Sequence, residues 1–209
     1  MIKLKKYWNE LLSRYTSDTR LTEQVFEKIS KAYSEEHRHY HNSGHILSML
    51  DEINNSSDPA IDKDSLLFAT WFHDMVYNPR KHNNEEASAE TSVSILQQLA
   101  VPEEKIIKIR ALILATANHT AHRPGLDHEL DFFLDCDLKI LGSERQEYLL
   151  YAANIRKEYK HVLSFIYKRE RKKILKRFID SPTIYRTNYF IKKYEEQAKN
   201  NIQFEIQNL

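Results

Sequence analysis

Apolar residues recur at steps of three and four along nearly the whole chain, the spacing that places side chains on one face of an α-helix. Trp8, Leu11, Leu12 and Tyr15 form one such stripe, Leu21, Val25, Phe26, Ile29 and Tyr33 a second, and Ile46, Met49, Leu50 and Ile53 a third. From Leu66 to Tyr77 the chain is apolar nearly all round, which predicts a central helix enclosed by the others. Ala89, Val93, Leu96 and Ala100 line the next helix. Val101-Pro102-Glu103-Glu104 then restarts the chain with proline and acids placed as in a helical first turn, and Ile106, Ile109, Leu112, Ile113 and Thr116 carry that helix towards His119. A helix from Leu130 to Leu141 is expected to stop at Gly142, and Ser143 with Gln146 has the capping-box pattern of a long helix reaching Ile166. Ser181-Pro182-Thr183 marks a turn before a charged closing helix. Neither a period of two nor a repeat is present, so an all-α fold is predicted.

Composition narrows the function. With 209 residues, 41% of them hydrophobic, one domain spanning 1–209 around a single core is expected. The 31 basic and 30 acidic side chains nearly cancel, which leaves no global footprint of a nucleic-acid or anionic-membrane binder; neither partner is expected, and an anionic substrate must be recognised locally. The one basic concentration, Lys168-Arg169-Glu170-Arg171-Lys172-Lys173 with Lys176-Arg177, has the outward periodicity of a solvated helix face, with binding of a nucleic acid or another anionic partner there as the lesser alternative. A lone cysteine, Cys136, excludes an intrachain disulfide framework. The start Met-Ile-Lys-Leu-Lys-Lys leads into an amphipathic helix rather than a signal core, and no run approaches the roughly 18 apolar residues of a membrane span, so a cytoplasmic protein is expected. Only Gly44, Gly125 and Gly142 are glycines. No phosphate-cradling loop or dinucleotide fingerprint can be written, and phosphate chemistry would have to use metals and side chains.

The candidates for that chemistry lie in apolar surroundings. His41 and His45 are four apart, as neighbours on a helix face would be, and His73-Asp74 follows the apolar run from Leu66, which places both deep in the core. Asp137 shares a face with Leu130, Leu134, Leu138 and Leu141, whereas Asp135 falls on a more polar flank, so Asp137 is expected to be the buried acid of the two. A buried carboxylate must be neutralised, paired or bound to metal. A divalent cation serves several such groups at once, and histidines with aspartates form a mixed nitrogen and oxygen set suited to Mn, Fe, Zn, Ni or Mg. Asp74 has the two oxygens needed to bridge a second ion, with His119 the nearest unspent imidazole. Arg38 and Arg156 are candidate guanidinium forks for a phosphate, or ion pairs at the core edge. Glu85 and Glu86 open a helix, where acids are ordinary dipole partners as well as candidate substrate contacts. His82, His122 and His128 are expected to face solvent.

The ordered segments Arg38-His39-Tyr40-His41-Asn42 to His45, Phe72-His73-Asp74, Asn84-Glu85-Glu86, Thr116-Ala117-Asn118-His119, Asp135-Cys136-Asp137-Leu138, Ile155-Arg156-Lys157-Glu158-Tyr159 and Ile184-Tyr185-Arg186-Thr187 resemble those of the HD superfamily, and more narrowly its metal-dependent phosphohydrolases of about this length. The resemblance spans residues 38–187. It implies an all-helical HD fold in which His45, His73, Asp74 and Asp137 bind one or two divalent ions. It also implies hydrolysis of a small, nucleotide-like phosphate ester by metal-bound hydroxide. The segment from Tyr40 to His45 is also similar to the corresponding motif of cyclic-nucleotide phosphodiesterases, which implies that His41 protonates the leaving oxygen while His45 holds metal. The chain departs from the phosphodiesterase pattern at Met75-Val76-Tyr77, where a further histidine would stand, and shows no glutamine-centred purine pocket, so cyclic-nucleotide specificity is not implied. Two other functions stay open: a di-iron oxygenase, which shares the HD fold, and a non-catalytic module that binds metal or nucleotide.

Overall fold

The computed structural model describes residues 1–119, 125 and 127–209. Ten α-helices and no strand are present among them. The chain divides into two compact units, Met1–Ala117 and Asn118–Leu209.

The first unit holds α1 (Ile2–Leu12), α2 (Thr19–Ala32), α3 (Ser43–Asn55), α4 (Lys63–Phe72), α5 (Asn84–Gln98) and α6 (Glu103–Ala115). Every residue of α4 from Ser65 to Phe72 is buried, as its all-round apolar character requires, and α3, α5 and α6 pack against it. Trp8 of α1 meets Phe68, Trp71 and Phe72 edge-on at 6.5, 5.4 and 6.3 Å between ring centroids, a geometry that adds to the area term of aromatic burial. The helix begins at Asp62, whose carboxylate accepts from the Ser65 N–H and hydroxyl and from Lys105 Nζ at the start of α6.

The central helix stops at Phe72, five residues before the end that the apolar run predicts. His73 is its C-cap, the Met75 N–H returns to the Phe72 carbonyl, and Ser88 Oγ engages both the N–H and the carbonyl of Val76. Residues 73–77 are therefore held as a turn by partners distant in sequence. α5 ends at Gln98, short of the Ala100 that the apolar stripe includes: Ala100 takes a left-handed φ of 57° and the Val101 N–H returns to the Leu96 carbonyl.

The second unit contains α7 (His128–Leu138), a 3-10 turn (Lys139–Gly142), α8 (Arg145–Glu158), α9 (Ser164–Asp180) and α10 (Asn188–Asn208). A Cβ at Gly142 would stand 2.6 Å from the Tyr194 Cβ, so the glycine is demanded by close approach of α10. The long helix expected from Ser143 to Ile166 is broken into α8 and α9. Ser143 turns back to the Ile140 carbonyl instead of capping, and Arg156 donates to the Tyr159 and Val162 carbonyls beyond the end of α8.

Candidate metal centre

Asn42 starts the site. Its side chain accepts the Gly44 N–H at 2.8 Å and donates to the His39 carbonyl at 3.0 Å, capping α3 and placing His45 in the first turn. His41 consequently precedes the helix and does not share a helical face with His45, as the four-residue spacing had suggested. It is half-buried, with its ring 4.4 Å from that of Tyr77 and 6.1 Å from that of His45.

Arg38 locks this turn to the one that carries His73 and Asp74. Its guanidinium donates to the carbonyls of Asp74 at 2.6 Å, Met75 at 2.9 Å and, more weakly, His41 at 3.3 Å, and to the Glu35 carboxylate at 2.9 Å. The group is buried between the rings of Tyr33 and Tyr77. These donors are spent on backbone and on Glu35. Arg38 is thus a brace, and the expected phosphate fork is not what the structure places there.

His45 Nε2 and His73 Nε2 lie 3.2 Å apart, and Asp74 Oδ2 stands 3.1 Å from the latter and 3.9 Å from the former. Bonds of about 2.0–2.2 Å to one ion, at angles near those of octahedral or tetrahedral sites, put donor atoms roughly 2.9–3.5 Å apart. Two of the three separations fall in that range and the third is slightly wide. The rear nitrogens have fixed partners as well. His73 Nδ1 donates to the Thr70 carbonyl over 3.0 Å, so that the neutral ring turns its Nε2 lone pair inward as a metal ligand must, and His45 Nδ1 lies 3.2 Å from the Tyr40 hydroxyl. Such partners orient imidazole ligands and select the tautomer that binds. The two Nε2 atoms, 3.2 Å apart, suit a cation or a shared proton between them.

His73 is buried, as expected. Asp74 is less so, with 15% of its side chain exposed. Burial acts to raise the Asp74 carboxyl, but the charges of His73 and His41 and the hydrogen bond with His73 outweigh it and hold the group well below the usual carboxylate range.

Among the described residues, His45, His73 and Asp74 are brought together as a group able to hold a metal ion. Compared with protein-family models, curated proteins and solved structures, this chain matches none of them. The metal-binding reading therefore stands on the geometry of these three side chains.

Asp137, the expected fourth ligand, belongs to the second unit, where its Oδ2 lies 2.8 Å from His119 Nε2. The burial of the two neighbouring acids is the reverse of the sequence expectation: Asp135 is fully buried, whereas Asp137 is only half-buried. Asp135 accepts from the Arg186 N–H at 2.9 Å and from the Thr187 N–H and hydroxyl at 2.8 Å each. Polar partners from a distant segment, invisible to helical periodicity, make its burial tolerable. Arg186 also donates to the His119 carbonyl and to Asp131.

Arg156 caps α8 and lies over the Tyr167 ring. Its two terminal nitrogens donate to backbone carbonyls, a role in the fold. Glu85 and Glu86 are in the first turn of α5, half-exposed and exposed respectively. His82 and His128 are exposed, as expected, and His122 lies outside the described residues. Tyr40 and Thr70 were missed by sequence reasoning. Only their adjacency to a histidine ligand in sequence or helix turn could have flagged them.

Proposed function

We propose that the chain is a metal-dependent phosphohydrolase acting on a small, nucleotide-like phosphate ester. The observation that carries this reading is the convergence of His45 Nε2, His73 Nε2 and Asp74 Oδ2, with both imidazoles anchored from behind. A divalent cation in such a set supplies Lewis acidity towards phosphoryl oxygens and lowers the pKa of a water that it binds. The chain's own residues do the rest. Asp74 stays ionised among three imidazoles, so the site keeps an anionic oxygen for a cation across the neutral range. His41, half-buried beside the group with its ring tilted against that of Tyr77, is the proton donor to the departing alkoxide. Thr70 and Tyr40 hold the ligand rings against rotation.

The test has two stages. Titration with Mn, Fe, Ni, Zn and Mg should show binding that falls at least about tenfold in His73→Ala and in Asp74→Ala, the range for losing a metal-orienting contact or more. The metal-loaded protein is then offered mono-, di- and cyclic nucleotides, sugar phosphates and pyrophosphate, with phosphate release and oxygen uptake both followed. Unchanged metal affinity in both variants would remove the metal centre. Oxygen uptake without phosphate release would assign the site to an oxygenase, and nucleotide binding without product to a regulatory module. The fourth ligand implied by the HD resemblance is tested separately by the metal affinity of Asp137→Asn.

A further inference from the structure

The outward face of α9 concentrates charge in a chain whose formal net charge is only +1. Lys168, Arg169, Lys172, Lys173, Lys176 and Arg177 are all exposed, whereas Arg171 turns inward and pairs with Glu205 over 2.8 Å. Between Lys168 and Arg177 the one acid is Glu170, which is engaged by Arg169 and Lys173, and exposed Asp180 follows at the end of the helix. Lys168, Lys172, Lys176 and Arg177 make no ion pair or hydrogen bond through their side chains to another described residue.

The N-terminal end of α9 carries exposed apolar surface. Phe165 is 67% exposed and Leu163, at the N-cap, 63%. Lys168, Arg169 and Lys172 stand at i+3, i+4 and i+7 from Phe165, the spacings that share one side of a helix. Arg169 has Lys172, Lys173 and Lys176 as its own neighbours at those intervals. From Phe165 to Arg177 the face runs about 18 Å at 1.5 Å per residue, and adjacent cations three or four residues apart lie within a Debye length of about 8 Å and act together on a charged surface.

We propose that this face of α9 docks on the anionic surface of a lipid membrane, with Phe165 and Leu163 entering the headgroup region and the six cations meeting lipid phosphates and carboxylates. No helix of the described residues is long and apolar enough to cross a membrane, so the attachment is peripheral. A row of cations running on from a projecting aromatic suits an interface that offers negative headgroups over an apolar layer. A nucleic acid offers the negative charge but no apolar layer, and one phenylalanine at the end of the row is not the series of stacking rings that a single-strand binder presents. The sequence expectation of no membrane partner rested on overall charge; the exposed Phe165 and Leu163 are what alter it.

Sedimentation of the full chain with vesicles tests the proposal. The protein should pellet with vesicles in which roughly a third of the lipid is phosphatidylserine, remain in solution with neutral phosphatidylcholine vesicles, and be released as salt rises from about 0.1 to 0.5 M. The double variant Lys172→Glu/Lys176→Glu should bind the anionic vesicles at least about tenfold more weakly, and Phe165→Ser several-fold more weakly with its salt dependence retained. Lys168→Gln/Arg177→Gln, a gentler change, serves if the reversal variant lacks wild-type circular dichroism, and should also weaken binding. Wild-type protein that ignores anionic vesicles, or folded charge variants that bind as wild type does, would overturn the proposal. So would tighter binding to single-stranded RNA or duplex DNA than to vesicles, which would give the face to a nucleic acid.

Discussion

Replacing Arg38 separates a structural brace from a substrate contact. The side chain is 1% exposed, and its two short bonds reach the Asp74 carbonyl at 2.6 Å and the Met75 carbonyl at 2.9 Å. Hydrogen bonds from a charged donor contribute roughly 1.5–3 kcal/mol each, and removal also leaves two carbonyls of a tight turn without their donor. The Glu35 partner is 45% exposed, so that ion pair adds less than about 1 kcal/mol. Arg38→Met should therefore cost about 3–5 kcal/mol of stability, and Arg38→Lys about half of that, because an ammonium cannot span the same fork. At a urea m-value of about 2 kcal/mol/M the methionine variant's midpoint falls by about 1.5–2.5 M. Freed from its brace, the 73–75 turn lets the Asp74 carboxylate move, so metal affinity should fall as well when measured below the variant's unfolding midpoint. A substrate fork predicts the opposite pattern: unchanged midpoint, unchanged metal affinity and a raised KM. That pattern would refute the reasoning.

Other residues give independent checks. Gly142→Ala sets a methyl against the Tyr194 Cβ and carbonyl and the Tyr185 hydroxyl, at 2.6–2.8 Å; an overpacking cost of about 1–3 kcal/mol should appear in chemical denaturation. Trp8→Ala removes a fully buried indole and its bond to the Thr22 carbonyl, and a loss of about 3–5 kcal/mol is expected in the same assay. Burial pushes the Asp135 carboxyl up, to about 6, against the lowering effect of the Thr187 and Arg186 donors. A carboxyl raised in the folded state favours folding while protonated, so its contribution is present at acid pH and declines as pH rises through about 6, by up to about 3 kcal/mol. The stability difference between wild type and Asp135→Asn should accordingly change between pH 4 and 7; a difference independent of pH would show that the group titrates normally.

The helical class and most helix cores were legible because burial on one face writes a period into the sequence. The stripe of Trp8, Leu11 and Leu12 and that of Ile46, Met49, Leu50 and Ile53 are buried as that period requires. Helix ends were less legible. Apolar character continues past Phe72 to Met75 and Val76, but hydrogen bonds from Arg38 and Ser88 hold that segment in a turn. For the site, the two histidines and the first aspartate were visible as residue types in apolar context. Which of Asp135 and Asp137 is buried was not, because a backbone segment some fifty residues away supplies the donors for Asp135.

Three arginines show why periodicity fails at these places. Arg38, Arg156 and Arg186 each direct guanidinium nitrogens at backbone carbonyls: of Asp74 and Met75, of Tyr159 and Val162, and of His119. A planar group with five N–H donors can satisfy the carbonyls of the turn that follows a helix end. The chain can then stop a helix in apolar surroundings without a glycine, which suits a sequence with only three. For Arg156 the consequence is measurable by itself, since its bonds at 2.6 and 3.1 Å and its place over the Tyr167 ring all lie at the α8–α9 break. Arg156→Leu keeps the apolar stem and removes the donors. The Tyr159–Leu163 segment should lose hydrogen-exchange protection, and stability should fall by about 2–4 kcal/mol. If the substitution instead left both unchanged, the break between α8 and α9 would have to be encoded in the local sequence, and the carbonyl-capturing role assigned to these arginines would fail where it is most directly exposed to test.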